Sequence, residues 1–313
     1  VITDYSYKVR ELFDSQFREW KLARDNYSQL DGVMVRTVPF PGYEISVQFN
    51  PGRIISSAAK VDTKSIEERP CFLCGSNRPP EQRGVPFGDG YILLINPFPI
   101  FRRHLTVVNL AHIPQRIEGN LGTMLELARD LPEYVIFYNG PQCGASAPDH
   151  LHFQAGNRGF LPIERDLDNM DLCIPVAESA GTELWIWKGY GRGIMTLKGH
   201  RAGALEEIIT RFYDRFALSQ PERPEPMLNI LAYHTDGQWT VHVMPRKVHR
   251  PACYFAEGAE RILLSPASVD LGGVFITPRE EDFRMITAED IQTILSEVCL
   301  DDEELANLTK EIL

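Results

Sequence analysis

The sequence has no apolar run of 18 residues, the length that would suggest a helix crossing a bilayer, so it offers no membrane span. It has no Gly-x-Gly-x-x-Gly turn and no P-loop, which removes two common phosphate cradles. Positive charge is in deficit: 32 Lys and Arg stand against 43 Asp and Glu, for a formal charge of −11. A partner such as duplex DNA or RNA needs a basic surface, so nucleic acid is not expected. A small anion is still compatible, because a local arginine pocket can act inside an acidic protein. Cysteine is sparse, six in 313 residues at irregular spacing, unlike the disulfide framework of a small secreted domain. The first twenty residues are too polar for a secretory signal, and a cytoplasmic location is the expectation.

What is present is enough apolar material, 43% of residues, for one large domain or two intimate halves. Apolar residues at helical spacing predict a helix over 5–25, and others over 121–130, 203–217 and 287–299, the last capped by Thr287. Runs such as "YILLIN" (91–96), "HLTVVN" (104–109), "YVIFYN" (134–139), "LWIWKG" (184–189) and "GGVFIT" (272–277) predict strands. Further strands are expected at "GVMVRTV" and "YEISVQF", and at "MLNILAYH" and "WTVHVMP" around a Thr-Asp-Gly turn. Strands grouped in hairpins, with helices between groups, indicate an α+β fold with antiparallel sheet.

The most informative stretch is "NGPQCGASAPDHLHFQ", residues 139–154. On a strand, His150, His152 and Gln154 share one face while Leu151 and Phe153 share the other. A helix would scatter the three polar side chains. Gly140 and Gly144 allow a tight turn whose N–H groups can cradle an anion, and Ser146 adds a hydroxyl. A neutral imidazole is a competent nucleophile near pH 7, and an amide can hold a phosphoryl oxygen without titrating. The pattern points to phosphoryl-type group transfer through a covalent histidine. Cys143 and Ser146 fit neither the cysteine-protease signature nor the Gly-x-Ser-x-Gly elbow.

A second motif, Cys71-x-x-Cys74, lacks the helix start expected of a redox pair. As half of a zinc site it needs two histidines, with His104, His112 and His150 as candidates.

Together "CFLCGSNRP", "TVVNLAHIPQRI" and "NGPQCGASAPDHLHFQ" resemble the nucleotidyltransferases and phosphorylases of the histidine-triad superfamily, in the galactose-1-phosphate uridylyltransferase pattern. "FPIFRRHLTVVNLAHIPQRI", "DHLHFQAGNRGFLPIE" and "HVMPRKVHR…SPASVDLGGVFITPREEDF" are still more similar to the GDP-L-galactose/GDP-D-glucose phosphorylases. Diadenosine tetraphosphate phosphorylases share the histidine motif. Asp149 stands where the transferase pattern has proline directly before its first histidine, a change the phosphorylase-like "DHLHFQ" accommodates.

The resemblance implies two related histidine-triad-like halves, 1–180 and 181–313, with the histidine motif kept only in the first. It implies a structural zinc on Cys71, Cys74, His112 and His150, with His152 as nucleophile and Gln154 on the phosphoryl oxygens. Asn96 stands where the family contacts ribose or base, and Asn139 matches its loop asparagine. Arg53, Arg102, Arg103 and Arg158 are candidate phosphate partners. The cluster of Arg246, Lys247, His249 and Arg250 beside His242 is either an acceptor-phosphate site, with Arg246 the candidate, or an exposed turn. The substrate implied is a nucleotide sugar or dinucleoside polyphosphate, with phosphate or a sugar phosphate as acceptor, on a chain able to form a homodimer. Two other readings are a zinc hydrolase using His150 and His152 together as ligands, and a nucleotide-binding protein without turnover.

Overall fold

The most apolar strand runs are buried on both faces, and they lie at the centre of a ten-stranded sheet. The computed structural model describes residues 4–54, 62–310 and 312. Its first five sheet strands are β3 (Gly84–Phe87), β4 (Tyr91–Ile95), β5 (His104–Asn109), β6 (Tyr134–Asn139) and β7 (His152–Asn157). The next five are β8 (Cys173–Ser179), β9 (Thr182–Trp187), β10 (Met195–Gly199), β11 (Leu228–Thr235) and β12 (Gln238–Pro245). The order across the sheet is β3-β4-β5-β7-β6-β11-β12-β10-β9-β8, so the second group repeats the order of the first, reflected about the β6–β11 seam. All of its pairings are antiparallel. Helix Leu121–Asp130 joins β5 to β6, and helix Ala202–Ala217 joins β10 to β11, in corresponding places. The chain is therefore α+β, and this arrangement is compatible with two related halves.

The two faces of the sheet have different fates. Leu105, Val107, Ile136, Phe153, Ile230 and Val241 point to one face and pack on both connecting helices. On the other face of the second group, Trp187, Leu231 and Met244 are covered by helix Ala288–Val298 and a small sheet. That sheet holds β1 (Met34–Phe40), β2 (Tyr43–Phe49) and β13 (Val274–Thr277), with β13 parallel to β2, the exception to the antiparallel expectation. The same face of the first group, bearing Leu94, Thr106, His152 and Gln154, lines a cleft.

The expected helix over 5–25 is two helices, Asp4–Glu19 and Lys21–Ser28, because Trp20 between them has an extended backbone. Its indole is only 4% exposed and reaches the cleft wall, which accounts for the break. Strand β8 has no counterpart among the expected strands. Pro175 and several polar residues disguise it as a loop, yet it forms a hairpin with β9 through Ala180 and Gly181, both at positive φ. Thr287 does cap its helix, accepting from the Asp290 N–H.

Glu225, beyond the second connecting helix, pins the two strand groups together. It accepts the Ile117 N–H at 2.6 Å and the Tyr138 hydroxyl at 2.5 Å. Burial raises its pKa from 4.5 to about 7. The folded chain then holds this proton more tightly than the unfolded chain, so the associated stability is full below about pH 4.5 and is lost as pH rises to about 7. Thermal melts should show the melting temperature falling across that window. Glu225→Gln should flatten that part of the profile, and an unchanged slope would contradict the assignment.

Candidate active site

The cleft has a volume of about 610 Å³. His152 lies on its wall at the first residue of β7, 4% exposed, while Leu151 and Phe153 are fully buried in the core behind it. The alternation expected from the sequence is therefore present, although the strand begins at His152 and His150 sits in the turn before it. The register sets Val108 opposite His152 and Thr106 opposite Gln154.

The tautomer of His152 follows from its neighbour. Nδ1 lies 2.8 Å from the His150 carbonyl, which can only accept, so Nδ1 carries the proton and the lone pair is on Nε2. Burial holds the ring's pKa down to about 4, leaving it neutral at pH 7. Its backbone is clamped by Gln115, a residue the sequence did not single out. The Gln115 Oε1 accepts the His152 N–H at 2.8 Å, and its Nε2 donates to the carbonyls of His152 (3.0 Å) and Asn139 (2.9 Å). Gln115 is 1% exposed, and no local motif announces that role.

The other expected residues separate into two sets. Arg53, Asn96, Asn139, Gly144, Ser146, His152 and Gln154 all line the cleft. Asn139 Oδ1 accepts from Asn229 Nδ2 at 2.8 Å, Ser268 N at 2.9 Å and Ser268 Oγ at 2.7 Å, so the second strand group fixes its orientation. Gly144 has φ +96°, and a Cβ there would come within 2.6 Å of Ala267 Cβ, so this loop needs glycine to close against the opposite wall. Arg53 donates to the Phe98 carbonyl at 2.6 Å, and burial brings its pKa down to about 10.

Arg103, Arg158 and Arg246 are not on the cleft wall. Arg103 is exposed, as is Arg102, which pairs with Asp31. Arg158 is paired with Glu164 and lies over the Tyr233 ring. Arg246 is fully buried, and its guanidinium serves Asn229 and the carbonyls of Val298, Pro266, Val248 and His249. It holds the fold rather than facing the cleft. Of the cluster at 242–250, His249 and Arg250 are the residues that reach the cleft, together with Ser265. Arg250 Nε donates to Ser265 Oγ at 3.1 Å. His242 is fully buried instead, its Nδ1 2.7 Å from Thr196 Oγ1.

Beside the cleft, Cys71, Cys74, His112 and His150 converge, with one donor atom from each lying within 4.8 Å of the others. Cys71 Sγ is 3.3 Å from His150 Nδ1, and Cys74 Sγ is 3.2 Å from His112 Nδ1 and 3.6 Å from His150 Nδ1. Metal–sulfur bonds of about 2.3 Å and metal–nitrogen bonds of about 2.0–2.1 Å place neighbouring tetrahedral donors about 3.5 Å apart, so the donor set fits a metal ion. Outer partners are in place as well. His150 Nε2 donates to the Asn109 carbonyl at 2.8 Å, which frees Nδ1 as the ligand atom. Asp149, paired with Arg69 at 2.8 Å, lies 3.8 Å from His112 Nε2. Elemental analysis should find about one divalent ion per chain, lost in Cys71→Ser and retained in His152→Asn. Loss in His152→Asn would make that histidine a ligand.

Residues 204–313 match the family model described as GDPGP1-like, C-terminal domain, and residues 12–157 match a domain of unknown function (DUF4922). No curated protein matches the chain by sequence. Among solved structures, yeast Ap4A phosphorylase Apa2 is similar at a TM-score of 0.62 and 18% identity, covering 90% of this chain and 98% of that one. Its complex with Ap4A is similar at a TM-score of 0.57 and 17% identity, covering 91% and 98%. Its complex with AMP gives 0.54 and 17%, covering 92% and 97%. The chain thus joins a match to the GDPGP1-like C-terminal domain over residues 204–313 with the fold of an Ap4A phosphorylase.

Proposed function

We propose that the protein is a nucleotidyltransferase of the phosphorylase type, acting on a nucleoside diphosphate sugar. The observation that carries this reading is the presentation of His152: a neutral ring with Nδ1 tied to the His150 carbonyl, on the wall of a cleft shared with Gln154, Arg53 and Ser146. In this reaction Nε2 attacks the α-phosphorus and the bond to the bridging oxygen breaks, releasing a sugar phosphate and leaving a nucleotidyl-histidine. Phosphate or a sugar phosphate then attacks the same phosphorus and returns the electron pair to Nε2. The His150 carbonyl supports the positive charge the ring acquires, and Gln154 and Arg53 are the donors for the phosphoryl oxygens.

The thiolate and imidazole donors are those of a structural zinc site, with all four positions supplied by protein. Bound zinc would tie the Cys71–Cys74 loop to His150 and so steady the backbone that carries His152. His152 is not among the converged donors, which speaks against the hydrolase in which both histidines bind metal.

A second substrate reading is favoured by one observation, the likeness along nearly the whole chain to yeast Ap4A phosphorylase. On that reading the same histidine attacks a dinucleoside polyphosphate. A phosphorolysis panel of GDP-, UDP- and ADP-sugars and dinucleoside polyphosphates, read by mass, distinguishes the two. Quenched incubation with substrate labelled at the α-phosphate should leave label on the protein. His152→Ala should abolish that label and lower turnover about 10³-fold or more. Turnover with no labelled protein would refute the covalent route, and binding without turnover across the panel would favour a nucleotide-binding role.

A further inference from the structure

His104 is fully buried at the start of β5, one strand away from Gln154, and nothing in the reaction described above uses it. Its surroundings decide which atoms carry hydrogen. The Ile100 backbone N–H can only donate, and it points at His104 Nδ1 from 3.1 Å. Nδ1 is therefore the acceptor, and in the neutral ring Nε2 carries the proton. Nε2 lies 2.9 Å from Gln154 Oε1.

A second chain of reasoning reaches the same oxygen. The Phe98 N–H donates to Asn96 Oδ1 at 2.9 Å, which leaves Asn96 Nδ2 as the donor end, 3.4 Å from Gln154 Oε1. Two backbone donors in the turn 96–100 thus set the polarity of the Gln154 amide through two different side chains. The imidazole is itself held in place: Tyr27 hydroxyl donates to the His104 carbonyl at 2.9 Å, and the Phe101 ring packs edge-on with centroids 5.3 Å apart.

We propose that His104 is a positioning residue that fixes the Gln154 amide with its oxygen turned into the protein and its nitrogen presented to a phosphoryl oxygen in the cleft. The inference rests on the phosphoryl-transfer reading of the site. An amide turned the other way would offer a lone pair to an anionic oxygen, and the donor would become a source of repulsion.

Two substitutions separate this role from a merely structural one. His104→Gln places an amide nitrogen near the former Nε2, keeping a donor for Gln154 while losing the partner of the Ile100 N–H. His104→Asn does the opposite. The readouts are melting temperature, inorganic phosphate affinity by calorimetry, and kcat with KM on the best substrate of the panel. His104→Asn should weaken phosphate binding and lower kcat by about tenfold with near-normal melting, whereas His104→Gln should melt earlier yet stay within about threefold of wild type on both. In a Gln154→Ala background the His104→Asn loss should vanish, as expected for two residues acting as one unit. Equal losses in both backgrounds, losses that follow melting temperature, or a wild type that does not bind phosphate would each overturn the proposal. Absence of turnover by a wild type that shows the expected phosphate-binding pattern would instead remove the phosphoryl-transfer reading and leave the positioning role standing.

Discussion

Strand β7 is hydrogen-bonded to β5 on one side and β6 on the other, and side chains on such a strand alternate faces residue by residue. A slip of one residue would drive the Leu151 and Phe153 faces into the cleft and bury His152 and Gln154 in the core. The apolar pair makes that slip costly, since both side chains are fully buried. The faces of His152 and Gln154 follow from this register. It sets Gln154 opposite Thr106 and, with the hydrogen bonds of Gln115, fixes the backbone of His152. The turn preceding the strand carries His150 into the metal-ligand cluster, so one short segment faces core, cleft and cluster at once.

The repeated strand order raises the question of how the corresponding face of the second group differs from the one that lines the cleft. In the first group Thr106 stands opposite Gln154; in the second, Thr196 stands opposite His242. There the space is filled. Trp187 Nε1 donates to Thr196 Oγ1 at 2.8 Å, Thr196 contacts His242, and the small sheet with its helix covers the face. Burial pushes the His242 pKa down to about 3, so the ring sits neutral. The second group instead lends residues to the first. Asn229 and Ser268 hold Asn139, while His249, Arg250 and Ser265 form part of the opposite wall.

Amide and imidazole polarity in the cleft is settled throughout by backbone groups with only one possible role. The His150 carbonyl fixes the His152 ring, the Phe98 N–H fixes Asn96, and the Ser268 N–H helps fix Asn139. Such groups are already oriented and need no reorganisation when charge develops nearby.

By itself the sequence determined the elements whose signal is local. Periodicity placed the longer helices and apolar runs most of the strands, and Cys71-x-x-Cys74 and His150-x-His152-x-Gln154 exposed donor types at informative spacings. Local pattern failed where contacts made only on folding decide the outcome. Strand β8 looks like a loop until β9 pairs with it, and the helix break at Trp20 answers to a cleft wall assembled elsewhere. Charge was the least legible feature. Arg53 and Arg250 face the cleft while Arg246 is locked among carbonyls and Arg158 is paired with Glu164, although all four are alike as letters. A guanidinium's role depends on which acceptors surround it after folding, from Glu164, six residues from Arg158, to the Val298 carbonyl, 52 residues from Arg246. That choice belongs to the tertiary structure, which also brings together His112 and not His104 with the cysteine pair, as the resemblance implied.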